Sequence, residues 1–551
     1  MENPLSKNKI FLFISEFISG ASVMAIEIAS NRLLAPYLSS SQVVLTVITG
    51  VVLIAMSIGN ILGGRMSDKH QSIRYLYIMI IISGVFVSIV PFIGKYVIAG
   101  VSVLFALLVK KGLVIYITIA SCLLLIAPPL LILGMVTPSL IRYSLGQKAS
   151  GKIIGGLEAL NTSGSIIGTF LPTFLTIPYI GTMYTFVIFG ALLVVLSLIY
   201  IITEIVMNIN NNGGLKGKQV KMAIFSLFTV IIITLSLSLA HNIRINITND
   251  DGILLEDESM YNYLYVYKSG KTTYFSTNVL FSVESVMNDD YSLPGGYYDY
   301  CLATPYMAKI YEKKKLDVLV LGNATGTFAT LLKHHLSNYE INITAVEIDE
   351  KITELGYKYF KMDETIDVYT DDGRAFLSRD KNKYDVIMVD AYSSISAPFQ
   401  MTTVEFFTLV KEHLNSDGVM VMNINMNSEK EGSISHALSD TASSIFNKTY
   451  TYSLGRLSNM LVYASDNKSF MDDFLETRED IDETVFSQTF YKLSKDIKEH
   501  EDSGIRLYDT SADVEVRSFD ACDEIIVDTL DYYRTIYEQI GFKGLIDYLF
   551  S

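Results

Sequence analysis

Cysteine is scarce: Cys122, Cys301 and Cys522 are all there are in 551 residues. They are an odd, scattered set without a C-x-x-C spacing, which excludes a disulfide framework and a cysteine-built zinc site and makes reduced thiols the default. No metal is expected. Charge is also sparse, at 18% against 50% hydrophobic residues, too little for a purely soluble chain of this length. What charge there is divides unevenly: residues 1–242 hold 15 Lys and Arg against 6 Asp and Glu, net +9, leaving 28 against 52, net −24, for 243–551. So acidic a half repels a phosphate backbone, and nucleic acid is excluded as a partner. No internal repeat occurs, and no cleavable leader: the first apolar run, about 10–37, is too long for a signal and lacks a small-residue cleavage site.

Long apolar runs are what the first half does contain. They fall at about 10–37, 42–63, 75–94, 113–140, 153–179, 182–205 and 221–241, each near the roughly 20 residues that a spanning helix needs. The sequence therefore predicts a multi-pass α-helical membrane domain of about seven helices in a cell membrane, with the lipid bilayer as its partner. The thirteen residues Val97–Val109 are too short to span and read as an interfacial, re-entrant or eighth segment. With seven spans, eleven Lys and Arg gather on the side of Lys7, Arg65, Arg142 and Lys216, against Lys95, Lys110 and Lys111 opposite. That bias marks the first side as cytoplasmic and sends 243–551 outside.

Glu16, Glu27, Arg32 and Glu158 lie inside these runs and Glu204 at the end of one, where charges ordinarily pair within a bundle or line a path for a cation. The run Gly59-Asn60-Ile61-Leu62-Gly63-Gly64-Arg65 offers small residues for close helix packing. Pro128, Pro129, Pro138, Pro172 and Pro178 predict kinks.

The boundary falls near 243, after the Asn/Gly-rich loop 208–217 and a connecting stretch 241–251. Residues 243–297 form a small antiparallel β-unit, with two strands about the Ser269-Gly270 turn and a third after them. Strand and helix then alternate over 298–465: a helix at 298–311, strands at 316–321, 343–348, 366–369, 384–390 and 419–423, and helices between them. Alternation of this kind predicts an α/β, Rossmann-like sheet that is mostly parallel and wound on both faces. Residues 466–551 read as an acidic helical extension.

Ligands of such sheets bind beyond the carboxyl ends of the strands. The first strand runs into Gly322-Asn323-Ala324-Thr325-Gly326, a turn of small residues before a helix, which suits close approach of a ligand or simply tight packing. Glu347 ends the second strand 25 residues after Gly322, a spacing at which a carboxylate can accept from two ribose hydroxyls. Asp372 and Gly373 follow the third strand, placed for an adenine amino group or for a helix cap. Asp390 ends the fourth, where a carboxylate can take a proton from an amine.

These residues, with LEDESMYNYLYVY, PGGYYDY, VLVLGNATGT, AVEID, DDGRAF and YDVIMVDAYSS, resemble the spermidine synthase family of aminopropyltransferases, over about Glu258–Ser465, and the membrane half resembles that of the membrane-fused branch. The resemblance implies a methyltransferase-type fold and a site for decarboxylated S-adenosylmethionine as co-substrate. In it Glu347 serves the ribose, Asp372 and Gly373 the adenine end, Gly322 and Gly326 line the pocket, and Asn262 approaches the nucleoside. Asp390 matches the acid that helps deprotonate the attacking amine, a polyamine or related small amine.

The chain departs from the family pattern where the Gly-rich turn usually carries an aspartate, here Asn323-Ala324-Thr325, and where a second aspartate precedes a proline, here Ala391-Tyr392-Ser393-Ser394. A usual Tyr-His-Glu is Tyr298-Asp299-Tyr300. The first two changes remove negative charge from where cationic amines sit. Transport or sensing of a polyamine or other cationic solute, with a non-catalytic nucleoside domain, and methyl transfer or sulfonium cleavage on the same nucleoside are the alternatives. Asp509 and Glu515, in RLYDTSADVEV, stand either near a polyamine or on a solvated acidic face. Homo-oligomerisation is left open.

Overall fold

The structure, a computed structural model, describes residues 3–544 apart from 39–40, 71, 110–111, 146–150, 213–216, 240–251, 280–282, 393–396, 426, 429, 456–458, 478–483, 512, 522–534, 537 and 542–543. Cys522, Ser393, Ser394, the connecting stretch 241–251 and the tip of the Asn/Gly-rich loop lie outside the described residues. Cys122 and Cys301 are buried free thiols. Two compact units emerge, one of helices and one that holds the larger sheet and most of the smaller.

The helical unit comprises α1 (Lys9–Leu38), α2 (Gln42–Lys69), α3 (Arg74–Leu108), α4 (Leu113–Leu125), α5 (Ala127–Gly134), α6 (Val136–Leu145), α7 (Gly151–Leu171), α8 (Ile177–Asn212) and α9 (Gly217–Leu239). Among the described residues, five helical stretches can cross a membrane by length and composition, or six with the pair Leu113–Leu125 and Ala127–Ser144, which is bent by 53°. The seventh expected span turns on Gly181: the runs 153–179 and 182–205 fall in one 57-residue apolar stretch, Gly151–Met207, whose helical path breaks at Gly181, φ 87° and ψ 165°. The stretch passes through a π-helical turn at Pro172–Thr176 and a non-helical Gly181. Val97–Leu108 is no separate segment; it continues α3, which absorbs Pro91 without a break.

Small residues set the closest approaches. A Cβ on Gly164 lies 2.1 Å from the Phe17 carbonyl oxygen and one on Gly168 lies 2.0 Å from that of Ala21, so α1 and α7 touch backbone to backbone. Gly59 and Gly63 do the same against Leu131 and Met135, as the glycine run predicts. The charges inside the runs find polar partners: Thr49 donates to Glu27 at 2.8 Å, Asn161 to Glu16 at 2.8 Å, and Arg74 pairs with Glu204. Glu158 is exposed on α7.

The second unit opens with a four-stranded sheet in the order β1 (Ile253–Glu258), β2 (Tyr263–Ser269), β3 (Thr272–Ser276) and β4 (Ser285–Asn288). The expected helix over 298–311 is three short ones, α10 (Tyr297–Cys301), α11 (Thr304–Met307) and α12 (Ile310–Lys313), separated where Pro305 starts α11 and Lys309 turns left-handed at φ 64°. Then follow β5 (Lys315–Leu321), α13 (Thr327–His335), β6 (Glu340–Glu347), α14 (Glu350–Tyr359), β7 (Asp367–Thr370), α15 (Gly373–Arg379), β8 (Tyr384–Val389), α16 (Val404–His413) and β9 (Leu414–Ile424). After these come α17 (Ile434–Ser443), β10 (Lys448–Ser453), β11 (Met460–Ser465), α18 (Phe470–Thr477), α19 (Thr484–Asp496) and β12 (Lys498–Glu499).

The larger sheet has the order β12-β10-β11-β9-β8-β5-β6-β7, parallel from β9 through β7 and antiparallel at the other edge. The alternation of side chains builds a core on each face. Leu316, Val318 and Val320 of β5 enter one hydrophobic cluster, Leu319 and Leu321 the other, and all five are no more than 1% exposed. Full burial of such side chains stabilises the fold by about 1.5–3 kcal/mol each. The chain leaves β5 for β6 on one side and returns in β8 on the other, so the gap beyond β5 and β8 is the switch point.

Candidate active site at the strand ends

Two glycines shape the turn after β5. Gly322 has φ +87°, and a Cβ there lies 2.5 Å from the Asp390 carbonyl oxygen and 2.7 Å from Ala391 Cα, so only glycine lets the ends of β5 and β8 meet. Gly326, at φ +81°, lies against Met362, and a Cβ on it falls 2.5 Å from the methionine Sδ. Tight packing therefore accounts for both glycines, against backbone at Gly322 and against a side chain at Gly326. The backbone N–H groups of Gly322 and Asn323 both donate to the Val346 carbonyl, at 2.9 and 3.1 Å, tying the turn to β6.

Glu347 is 7% exposed at the end of β6. The Ala324 N–H donates to its Oε2 at 2.8 Å and the Asp349 N–H to its Oε1 at 3.0 Å. Burial nonetheless pushes the carboxyl up to about 7. Asp349 caps α14 and accepts from Asn262 Nδ2 at 3.2 Å, which joins Asn262 to the Glu347 corner. Asp372 is a helix cap, accepting from the Ala375 N–H at 2.8 Å, and Gly373 starts α15 against Met401.

Asp390 stands just past β8, its own N–H on the Leu321 carbonyl at 2.9 Å. The Tyr297 hydroxyl donates to Oδ2 at 2.6 Å and Asn423 Nδ2 to Oδ1 at 2.8 Å. Behind Asn423, Asn459 donates to Asn423 Oδ1 at 2.9 Å and to Asn425 Oδ1 at 2.8 Å, while the Tyr392 hydroxyl donates to the Asn423 carbonyl. Desolvation raises the Asp390 carboxyl to about 7 despite its two donors. The result is an oriented acid that titrates near neutrality, the requirement for a group that accepts a proton from an amine.

The structure thus places Gly322, Glu347 and Asp390 at the carboxyl ends of the adjacent strands β5, β6 and β8, and Asn262, just before β2, joins them through Asp349. Tyr297, Asp349 and Asn423 are partners that the sequence did not single out; PGGYYDY contains the first, but nothing marks which tyrosine faces Asp390. Asp509 is engaged elsewhere: Arg374 holds it through two guanidinium nitrogens at 2.7 and 2.6 Å, and Thr403 donates to it. A separate cavity of about 600 Å³, lined by His436, Asp440, Lys495 and His500 among others, shares none of the strand-end residues.

Residues 303–474 match the spermine/spermidine synthase domain. A protein of Bifidobacterium longum named a probable polyamine aminopropyl transferase is 41% identical over 314 residues, 54% of this chain and 69% of that protein. The chain belongs to the spermine/spermidine synthase family. The polyamine aminopropyltransferase of Bacillus subtilis is 32% identical over 111 residues, 19% of this chain and 39% of that one. A probable spermidine synthase from Corynebacterium glutamicum is similar in structure at 21% identity, with a TM-score of 0.36, over 48% of this chain and 96% of that one.

Proposed function

We propose that this family member is a membrane-anchored aminopropyltransferase, taking decarboxylated S-adenosylmethionine as co-substrate and a polyamine or related small amine as acceptor. The observation that carries the reading is Asp390: a half-buried carboxyl that desolvation raises to about 7, fixed by Tyr297 and Asn423, at the switch point of the sheet beside a glycine-rich turn. The donor set suits such a nucleoside. Each Glu347 oxygen receives one backbone donor and keeps a lone pair for a ribose hydroxyl, and the buried Thr325 hydroxyl oxygen has no partner in the turn.

When bound, the sulfonium supplies an electrophilic methylene carbon and a neutral thioether leaving group. The chain's own part is to present the amine uncharged. An ammonium has no lone pair to attack with, so Asp390 must be ionised to take its proton, while Tyr297 and Asn423 hold the carboxylate in place. Glu347, Asn262, Asp372 and Gly373 would bind the nucleoside, and Gly322 and Gly326 would admit it close to the backbone.

We place the helical unit in a cell membrane. Counting the bent pair once and the 57-residue stretch twice, about Gly181, gives seven spans; at about 1.5 Å per residue that stretch is nearly three times the roughly 30 Å of hydrocarbon. Protease treatment of intact and permeabilised cells carrying a C-terminal tag decides sidedness. Digestion in intact cells would support the lysine and arginine bias and count against direct use of a cytosolic nucleoside.

The activity is tested by incubating the purified full chain with decarboxylated S-adenosylmethionine and putrescine or spermidine and weighing the products. Methylthioadenosine and an amine lengthened by one aminopropyl group support the reading. An unchanged amine beside a methylated or cleaved product points to the other chemistries.

A second reading, passage of a cationic solute, is favoured by Glu16. It is fully buried within α1, Thr137 and Asn161 donate to Oε1, and Oε2 has no partner. Uptake of labelled spermidine that falls in Glu16→Gln would support it; uptake equal to wild type would oppose it.

A further inference from the structure

The transferase chemistry leaves Glu16 unused. It stands inside α1 at 0% exposure, with Thr137 Oγ1 and Asn161 Nδ2 donating to Oε1, the latter at 2.8 Å, and no hydrogen-bond partner at Oε2. Gly20, one turn further along α1, lets the backbone of α7 close on this point: a Cβ there falls 2.4 Å from the Asn161 carbonyl oxygen. Thr137 comes from a broken span, in which α5 stops at Gly134, α6 starts at Val136 and Pro138 lacks the N–H that would continue the ladder. Interrupted spans of this kind form ion and solute sites in many transporters.

The unpartnered oxygen fixes the charge of what Glu16 takes. An ionised carboxylate out of water is costly unless a cation or enough donors meet it. Oε1 has two neutral donors and Oε2 has none, and the charged group whose field reaches Glu16 is another acid, Glu158 on α7. From α3, the Tyr77 hydroxyl comes as far as Ser15, at 3.0 Å. The anion therefore calls for a cation at Oε2 and, without one, for a proton. An ammonium suits the set better than a bare alkali ion, which must replace its water with a shell of oxygens. Thr137 and Asn161 turn their donors to the carboxylate, and Oε2 is left to accept from an N–H. Exposure along α7 marks the approach: Glu158 and Thr162 are exposed, Asn161 is half-buried, and Glu16, which Asn161 touches, is buried.

We propose that Glu16 is an exchange site, taking the primary ammonium of an amine in place of a proton, so that the helical unit moves amines against protons. The proposal rests on the cation-passage reading and gives that passage its ligand and its driving force. Charge balances at the site. As an ammonium arrives, the Oε2–H bond breaks, its electron pair stays on oxygen and one proton leaves; as the ammonium departs, one proton returns.

The full chain in liposomes that enclose a pH-sensitive dye tests this, with protein-free liposomes as the baseline for passive amine entry. Above that baseline, labelled spermidine should enter several-fold faster when the lumen is acid, and protons should leave as it enters. Tetramethylammonium, which has no N–H, and Na+ should move no protons. Glu16→Gln should abolish both flows at an unchanged melting temperature. Thr137→Val, which takes one donor from the anion and no charge, should keep the exchange and shift its half-maximal pH upward. Spermidine entry without proton efflux and without response to the gradient overturns the exchange and leaves cation passage standing. Proton efflux driven equally by Na+ overturns the ammonium assignment. Exchange that is unaltered in Glu16→Gln, or a pH profile that Thr137→Val does not move, overturns the assignment to Glu16. No spermidine entry above the baseline overturns the proposal together with the cation-passage reading on which it rests.

Discussion

The Tyr297 hydroxyl donates to Asp390 Oδ2 at 2.6 Å across 93 residues of sequence. Burial is the largest influence on this carboxyl and raises it; the tyrosine hydrogen bond acts the other way and holds the ionised form. Tyr297→Phe therefore removes a stabiliser of the anion without removing the base. The expected outcome is an acid limb of the kcat/KM profile that moves to higher pH than the wild type's limb near 7, with kcat at high pH reduced far less than by loss of Asp390. An unmoved limb would show that Tyr297 only packs.

The same group links stability to pH. An aspartate raised from its usual value to about 7 keeps a proton in the folded chain over a range where the unfolded chain has lost it. The folded state then binds more protons, so its contribution to stability is greatest at low pH and falls as pH rises from about 4 towards 7, by up to about 1.4 kcal/mol per pH unit. Asp390→Asn cannot titrate and lacks this slope. Denaturant unfolding of wild type and variant at pH 5 and pH 8 should show the larger fall in the wild type; equal falls would mean that Asp390 is not held up by burial.

The glycines separate packing from chemistry. Gly326→Ala meets the end of a flexible methionine and a left-handed φ, and should cost about 1–3 kcal/mol, part of which a smaller residue at Met362 restores. Gly322→Ala meets backbone, that of Asp390 and Ala391, which nothing nearby can yield. It should lower kcat by far more than its effect on stability accounts for. Parallel melting and turnover measurements check this, and an activity loss no greater than that of Gly326→Ala would contradict it.

Much of the sheet is legible in the sequence because its strands are apolar on both faces and bounded by turn residues, as in Asp317–Leu321 and Tyr384–Val389. Glu347 and Asp390 follow from their places at strand ends. The helix over 298–311 misleads because apolar spacing says nothing of the left-handed Lys309 or of the break at Leu302-Ala303, ahead of Pro305 in the first turn of α11. Tyr297 and Asn423 escape because hydrogen bonds across 93 and 33 residues leave no local pattern. In the helical unit, composition shows the apolar runs and the division between 153–179 and 182–205, which falls at the non-helical Gly181, but not that Pro172 is absorbed in a π-helical turn, which a sequence does not announce. Asp372 is legible in both of its readings; its bond to the Ala375 N–H shows the capping one.

In the proposed function Asp390 acts on the amine and not on the nucleoside. It is tested most directly by comparing wild type and Asp390→Asn for binding of decarboxylated S-adenosylmethionine and, on the same preparations, for release of methylthioadenosine in the presence of an amine acceptor. Binding within a few-fold of wild type and turnover lower by about 10²–10⁴ are the expected results. Turnover that survives the substitution, or binding and turnover lost in equal measure, would contradict it.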